Sequence, residues 1–306
     1  MYLTVAYTLF SSLVAHTGYK MATKTDSERK FVGSGNIKIT NITDNYHVNT
    51  DKKNKDNKFI FVFNLATHDD DDDDSIISKM FSNPPKTIFN KIDVIINFII
   101  GNVKKDEEIL IEIDSCGGSV LDFGYVYSQL MRLKEKGYKI KVFSKKVIAS
   151  GGYLIACVAD EIYTVDTAIV GSIGVITSQL NFSNVLDYLK IINQKYTAGE
   201  YKSTVDLFDK PTEKNDKHIQ EKLNKTHNKF KEIVLKHRKG IDIEKVATGD
   251  TWSGDEALKL GLIDKIGLID DYLIDKITND KAKIIRLSYG KEKSSSFLSK
   301  FFDLFS

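Results

Sequence analysis

A five-residue apolar run, ILIEI at 109–113, passes without a break into Asp114-Ser115-Cys116-Gly117-Gly118-Ser119. Behind that turn, Val120, Phe123, Val126, Tyr127, Leu130 and Leu133 recur at helical spacing. A β-rich run, a glycine turn and an amphipathic helix in direct succession leave few architectures open. The succession repeats. FIFVFNLA at 59–66 reads as a buried strand and 88–100 as a helix. Residues 139–143 and 161–165 read as strands on either side of a short apolar helix at 150–159. Strands alternating with helices predict an α/β fold. Further on, 216–239 reads as a long charged helix, and 253–260 as a helix opened by Ser253 with Glu256 three residues later, the pattern of a capping box.

The flanks differ from this centre. Residues 1–57 form a polar, Lys/Asn/Thr-rich leader with a short strand expected at 36–40. Residues 58–275 carry the strand–helix alternation, and 276–306 form a tail ending in SSSFLSKFFDLFS. Phe297, Phe301, Leu304 and Phe305 fall at helical spacing there, which suits packing against its own domain or a neighbouring subunit, or lying at a membrane surface. Residues 3–15 are apolar but interrupted by Thr4, Thr8, Ser11 and Ser12, so they read as a weak anchor or leader. Six consecutive aspartates, 69–74, read as a solvated loop, because like charges in a block repel and lack the alternating geometry of a calcium loop.

Composition removes several functional classes. The net charge is only +2, so nucleic acid is not an expected partner. Two cysteines, Cys116 and Cys157, make no disulfide framework and no CxxC zinc pair.

Three turns with small residues can carry chemistry. Gly117-Gly118 leaves backbone N–H groups unshielded after a strand. Ala149-Ser150-Gly151-Gly152 sets one hydroxyl among small neighbours at a helix start, with the Gly151 N–H beside it. An ordinary helix cap is the plainer use of such a serine. Gly171-Ser172-Ile173-Gly174 reads as a tight buried turn. None of the six histidines, at 16, 47, 68, 218, 227 and 237, sits among small loop residues, so a Ser–His–Asp triad is hard to build. A lysine can serve as the base if desolvation lowers its pKa from about 10.4 to about 7, a cost of about 4–5 kcal/mol. The residues alone do not select which lysine.

The motifs DSCGGS, ASGGYLIACVAD, AIVGSIGV, TAGEYKS and VATGDTWSGDEALKLGLID, in this order, resemble the signal peptide peptidase A family and its SohB-type members. The likeness runs from residue 59 to 266. It implies a ClpP/crotonase-like fold of stacked ββα units. It implies a serine endopeptidase with a Ser–Lys dyad: Ser150 as nucleophile, Lys202 as general base, Ser172 orienting the lysine amine, and Gly117 and Gly151 at the oxyanion hole. Ser150 and Lys202 lie 52 positions apart, so they must meet through tertiary or quaternary structure. In the family the dyad can form at subunit junctions of a ring. No cofactor or metal is implied. The expected partners are apolar peptide substrates such as signal-peptide remnants, further copies of the chain and a membrane surface, with membrane association as the expected location. The family usually has proline where this chain has Cys116. Two rival functions use the same fold: a crotonase-type acyl-CoA enzyme, which needs no Ser150–Lys202 pair, and a non-catalytic scaffold, against which the intact motif residues argue.

Overall fold

A computed structural model describes residues 37–48, 58–65 and 92–289. Within them the chain runs β1 (Ile37–Asn41), β2 (Phe59–Asn64), α1 (Ile92–Asn102), β3 (Glu108–Glu112), α2 (Val120–Glu135), β4 (Ile140–Ser144), β5 (Val147–Ala149) and α3 (Gly151–Ala156). It continues through β6 (Glu161–Thr164), β7 (Ile169–Gly171), α4 (Ser183–Tyr188), α5 (Glu213–His237), α6 (Ile243–Val246), β8 (Thr251–Ser253), α7 (Gly254–Lys259), β9 (Lys265–Ile266), α8 (Ile269–Asp280) and β10 (Lys283–Tyr289). This is the α/β, ClpP/crotonase-like fold, with two sheets. The larger has the order β1-β10-β2-β3-β4-β6-β9, and the smaller has the order β5-β7-β8.

Every pairing in the large sheet is parallel except β1 with β10 at the edge. A parallel sheet is covered on both faces, which is why β2 is apolar at successive positions instead of alternating. Phe59, Phe61 and Phe63 pack with Ile109, Ile111 and the buried faces of α1 and α2. Ile60, Val62 and Leu110 face the other way, against Ile269, Leu273 and Ile277 of α8. At about 1.5–3 kcal/mol per fully buried large apolar side chain, these two layers hold the large sheet, whose β3 leads into the Gly117 turn.

Two boundaries drawn from sequence move. Ile37–Asn41 of the leader pairs with Lys283–Tyr289 of the tail, and that strand pairs with β2, so both flanks contribute strands to the main sheet. The divisions at 57/58 and 275/276 are therefore not structural breaks. Polar composition hid the connection, because an edge strand covered on one face needs few apolar residues. α5 begins three residues before the expected 216, where the Thr212 side chain accepts from the Asn215 N–H. α7 opens on the expected capping box of Ser253 and Glu256. The apolar N-terminal run, the aspartate block and the aromatic tail lie outside the described residues. Among the described residues, no helix is long and apolar enough to cross a membrane.

Candidate active site

The small sheet brings the three glycine turns together. The Ser115 N–H donates to the Val147 carbonyl at 2.7 Å, and the Ala149 N–H returns a bond to the Ser115 carbonyl at 3.0 Å. On the other side of β5, Ala149 lies opposite Gly171 of β7. The end of each strand therefore delivers its turn to one place.

Ser150 stands between β5 and α3 with φ 52° and ψ −122°. A non-glycine residue held there costs on the order of 1–3 kcal/mol and persists only where its surroundings over-determine it. Here they do. The Ser150 N–H donates to the Gly171 carbonyl at 2.8 Å, and its own carbonyl accepts from the Leu154 N–H at 3.0 Å. The positive φ also explains why the helix starts at Gly151 and not at 150. The glycines around it are packed to the backbone. A methyl on Gly152 would come 2.5 Å from the Ser115 carbonyl oxygen, and one on Gly151 would enter the Phe123 ring at 2.5 Å.

Gly117 has φ +94°, and a methyl on it would lie 2.7 Å from both the Gly151 nitrogen and the Ser150 Cβ. Its own N–H donates to Ser115 Oγ at 3.1 Å. The N–H groups of Gly118 and Gly151 have no acceptor among the described residues. The oxyanion loop thus meets Ser150 through the Gly117 backbone, while Gly118 and Gly151 carry the free donors. Cys116 in this loop is exposed.

A cavity of about 400 Å³ opens beside Ser150 and Gly151, walled by Val120, Phe123, Leu154, Ile176, Phe230 and Ile233. Lys229 also reaches its rim, but its ammonium pairs with Glu232 at 2.9 Å. That bond holds the lysine charged and raises its pKa, so it is a poor base.

Ser172 follows directly on Gly171 and has φ +50°. Its N–H donates to the Asp250 carbonyl at 2.7 Å, and its carbonyl accepts from the Gly174 N–H at 2.9 Å. His227 on α5 contacts the Ile173 carbonyl at 3.1 Å and braces this turn. Lys202 is elsewhere. It lies exposed in a turn closed by its N–H on the Gly199 carbonyl at 3.1 Å, and its Nζ has no partner among the described residues. The fold thus gathers Gly117, Ser150, Gly151 and Ser172; within one chain no hydrogen bond joins Lys202 to Ser150. None of the described histidines bonds to Ser150 either: His227 is on Ile173, His237 on Tyr127, and His218 stacks on Tyr201. Among the described residues no group of three or more His, Cys, Asp or Glu converges to hold a metal ion.

Comparison with known proteins supplies the family. Residues 132–283, which include Ser150, Ser172 and Lys202, match the family model for peptidase family S49. This segment belongs to peptidase family S49. The chain is 39% identical over 199 residues to a protein of Haemophilus influenzae named probable protease SohB, covering 65% of this chain and 56% of that one. It is 40% identical over 194 residues to the like-named protein of Buchnera aphidicola from Acyrthosiphon pisum, covering 63% and 57%. It is 32% identical over 176 residues to a protein of Enterococcus faecium named, by inference, for signal peptide peptidase SppA, covering 56% and 51%. The match spans a little over half the length of these relatives.

Sequence reasoning missed parts of the S49 site. Phe230 and Ile233 wall the cavity from α5, which reads as a charged helix. The signal was there, in Phe230, Ile233 and Val234 at helical spacing among lysines. Trp252 was also missed: its ring packs against Gly171, where an added methyl would approach to 2.7 Å. A lone tryptophan in a polar stretch gives no local sign of such a partner.

Proposed function

We propose that this protein is a serine endopeptidase with Ser150 as nucleophile, Lys202 as general base and Ser172 as the hydroxyl that orients the lysine amine. The observation that carries the reading is Ser150 itself. It is a serine held at positive φ at a helix start, beside free backbone donors and an apolar cavity, in a segment of a peptidase family. A strained turn with this exposure is what a nucleophile needs and what an ordinary cap does not.

In the reaction, neutral Lys202 takes the Ser150 proton as Oγ attacks a peptide carbonyl. The developing oxyanion sits at the junction of the Gly117 loop and the Gly151 N–H. The lysine then gives its proton to the departing amine, leaving an acyl-enzyme on Ser150. Water, deprotonated by the same lysine, releases the acid and restores the serine. No step needs a cofactor. The walls of the cavity favour an apolar residue before the cut bond, in keeping with apolar peptides such as signal-peptide remnants as substrates.

Lys202 comes, in this reading, from a neighbouring copy in a homo-oligomeric ring. Two observations support it. Lys202 has no bond to Ser150 in its own chain. The segment around it also exposes large apolar residues that a lone chain would leave in water: Ile176 is 86% exposed, Tyr188 84%, Ile192 82% and Tyr196 91%. Work at a membrane surface is part of the same proposal, drawn from the resemblance.

The test is cleavage of a fluorogenic apolar peptide by the full chain and by Ser150→Ala, with a fluorophosphonate label mapped by mass spectrometry. Cleavage lost in the variant and a label on Ser150 support the reading. Undiminished cleavage, or a label elsewhere, overturns it. An acyl-CoA enzyme on this fold would take no label.

A further inference from the structure

The Lys202 amine has no partner among the described residues, yet the side chains on each side of it do. Before it, Glu200 pairs with Lys214 at 2.5 Å, and Tyr201 stacks on His218 with ring centroids 3.9 Å apart. After it, the Ser203 hydroxyl accepts from Lys195 Nζ at 2.9 Å. The same ammonium donates to the carboxylates of Asp206 and Asp209. Asp206 in turn accepts from the Phe208 N–H at 2.8 Å and the Asp209 N–H at 3.2 Å.

We propose that Lys195 is a positioning residue: it ties residues 195–209 into a closed loop and so fixes the direction in which Lys202 projects. The inference rests on Lys202 being the general base. Lys195 is suited to the role by chemistry as well as place. Its three donors are all used, on one hydroxyl and two carboxylates, from a side chain that is only 26% exposed. Bonds to Asp206 and Asp209 raise its pKa, so it stays charged and does not compete as a base. A dyad whose halves come from different chains depends on such a mount. A swinging lysine tip would lose the alignment that makes proton transfer fast, and a misplacement of about 1 Å can cost about 10²-fold.

The experiment is steady-state kinetics of the full chain on the fluorogenic peptide, comparing Lys195→Met, Lys195→Arg and Lys202→Ala, with particle mass measured by light scattering. Lys195→Met is expected to lower kcat by about 10- to 100-fold with KM changed by less than about twofold, since the peptide cavity is untouched. Lys195→Arg, which keeps the charge and the donors, is expected to restore most of kcat. A kcat for Lys195→Met within about threefold of wild type, while Lys202→Ala is inactive, would overturn the inference and leave the base intact. An active Lys202→Ala would overturn the base and this inference with it. If Lys195→Met does not reach the wild-type mass, Asp209→Asn is read by the same criteria.

Discussion

Gly117 and Ser150 are in backbone contact: a single methyl on Gly117 would come 2.7 Å from the Ser150 Cβ, closer than real Cβ atoms approach. Gly117→Ala is therefore expected to strain φ at +94° and to push Ser150 and the Gly151 N–H apart together. Peptidase activity should fall by about 10²-fold or more, as for loss of an oxyanion donor. Gly101→Ala on α1 is the control. A methyl there meets nothing within 4 Å, so activity should hold and stability should rise by up to about 1 kcal/mol. Equal activity in Gly117→Ala and wild type would show that this contact does not matter to the reaction.

Complementation tests whether the proposed dyad is shared between chains. Ser150→Ala keeps Lys202, and Lys202→Ala keeps Ser150, so a mixed assembly can hold whole dyads at some junctions. Co-expression of the two inactive variants should recover part of the wild-type rate, with mixed particles confirmed by mass. Mixed particles that stay inactive would favour a dyad within one chain, and a fully active monomer would remove the ring.

The two thiols should react differently. Burial pushes the Cys157 thiol up to about 12, against a small lowering from Arg238, whereas Cys116 is exposed. The thiolate is the reacting form. A chromogenic disulfide reagent should titrate about one thiol in the native protein and the second only in denaturant. Cys116→Ser should abolish the native reaction. Two fast native thiols would show that α3 opens more readily than its packing implies.

Acid should weaken the β4–β6–β9 edge. Burial raises the Glu161 pKa, but bonds to Lys141, Lys265 and Tyr163 together outweigh it and bring it down to about 2 from 4.5. A folded-state pKa below the unfolded one contributes stability above pH 4.5 that is lost as pH falls toward about 2. Urea midpoints of wild type and Glu161→Gln should thus differ at about pH 6, and the gap should narrow below about pH 4.5 and close only as pH falls below about 2. A gap that stays constant across that range would show that the ion pairs contribute nothing through the Glu161 charge.

The sequence by itself determined what short range controls. The strands at 108–112, 140–144 and 161–164 come from apolar runs, and α2 from its helical period. The start of α7 comes from a serine and a glutamate three residues apart. Even Ser150 was legible as a candidate, since only small neighbours leave a hydroxyl open at a helix start. What the tertiary structure decided depends on partners far along the chain. The strand expected near 36–40 finds its partner, Lys283–Tyr289, only in the fold, and Phe230 becomes a cavity wall only because α5 is brought beside Gly151 and Leu154 of α3. Ser115, Ala149 and Gly171 share one small sheet through pairings that no local pattern announces. The position of Lys202 is the sharpest case. Its motif is plain in sequence, but the segment that carries it is tied down by ion pairs of Lys195 and Lys214 and by the ring stack of Tyr201 on His218. Such contacts form between side chains whose proximity is set by the folded backbone, and so they leave no periodic trace in the order of residues.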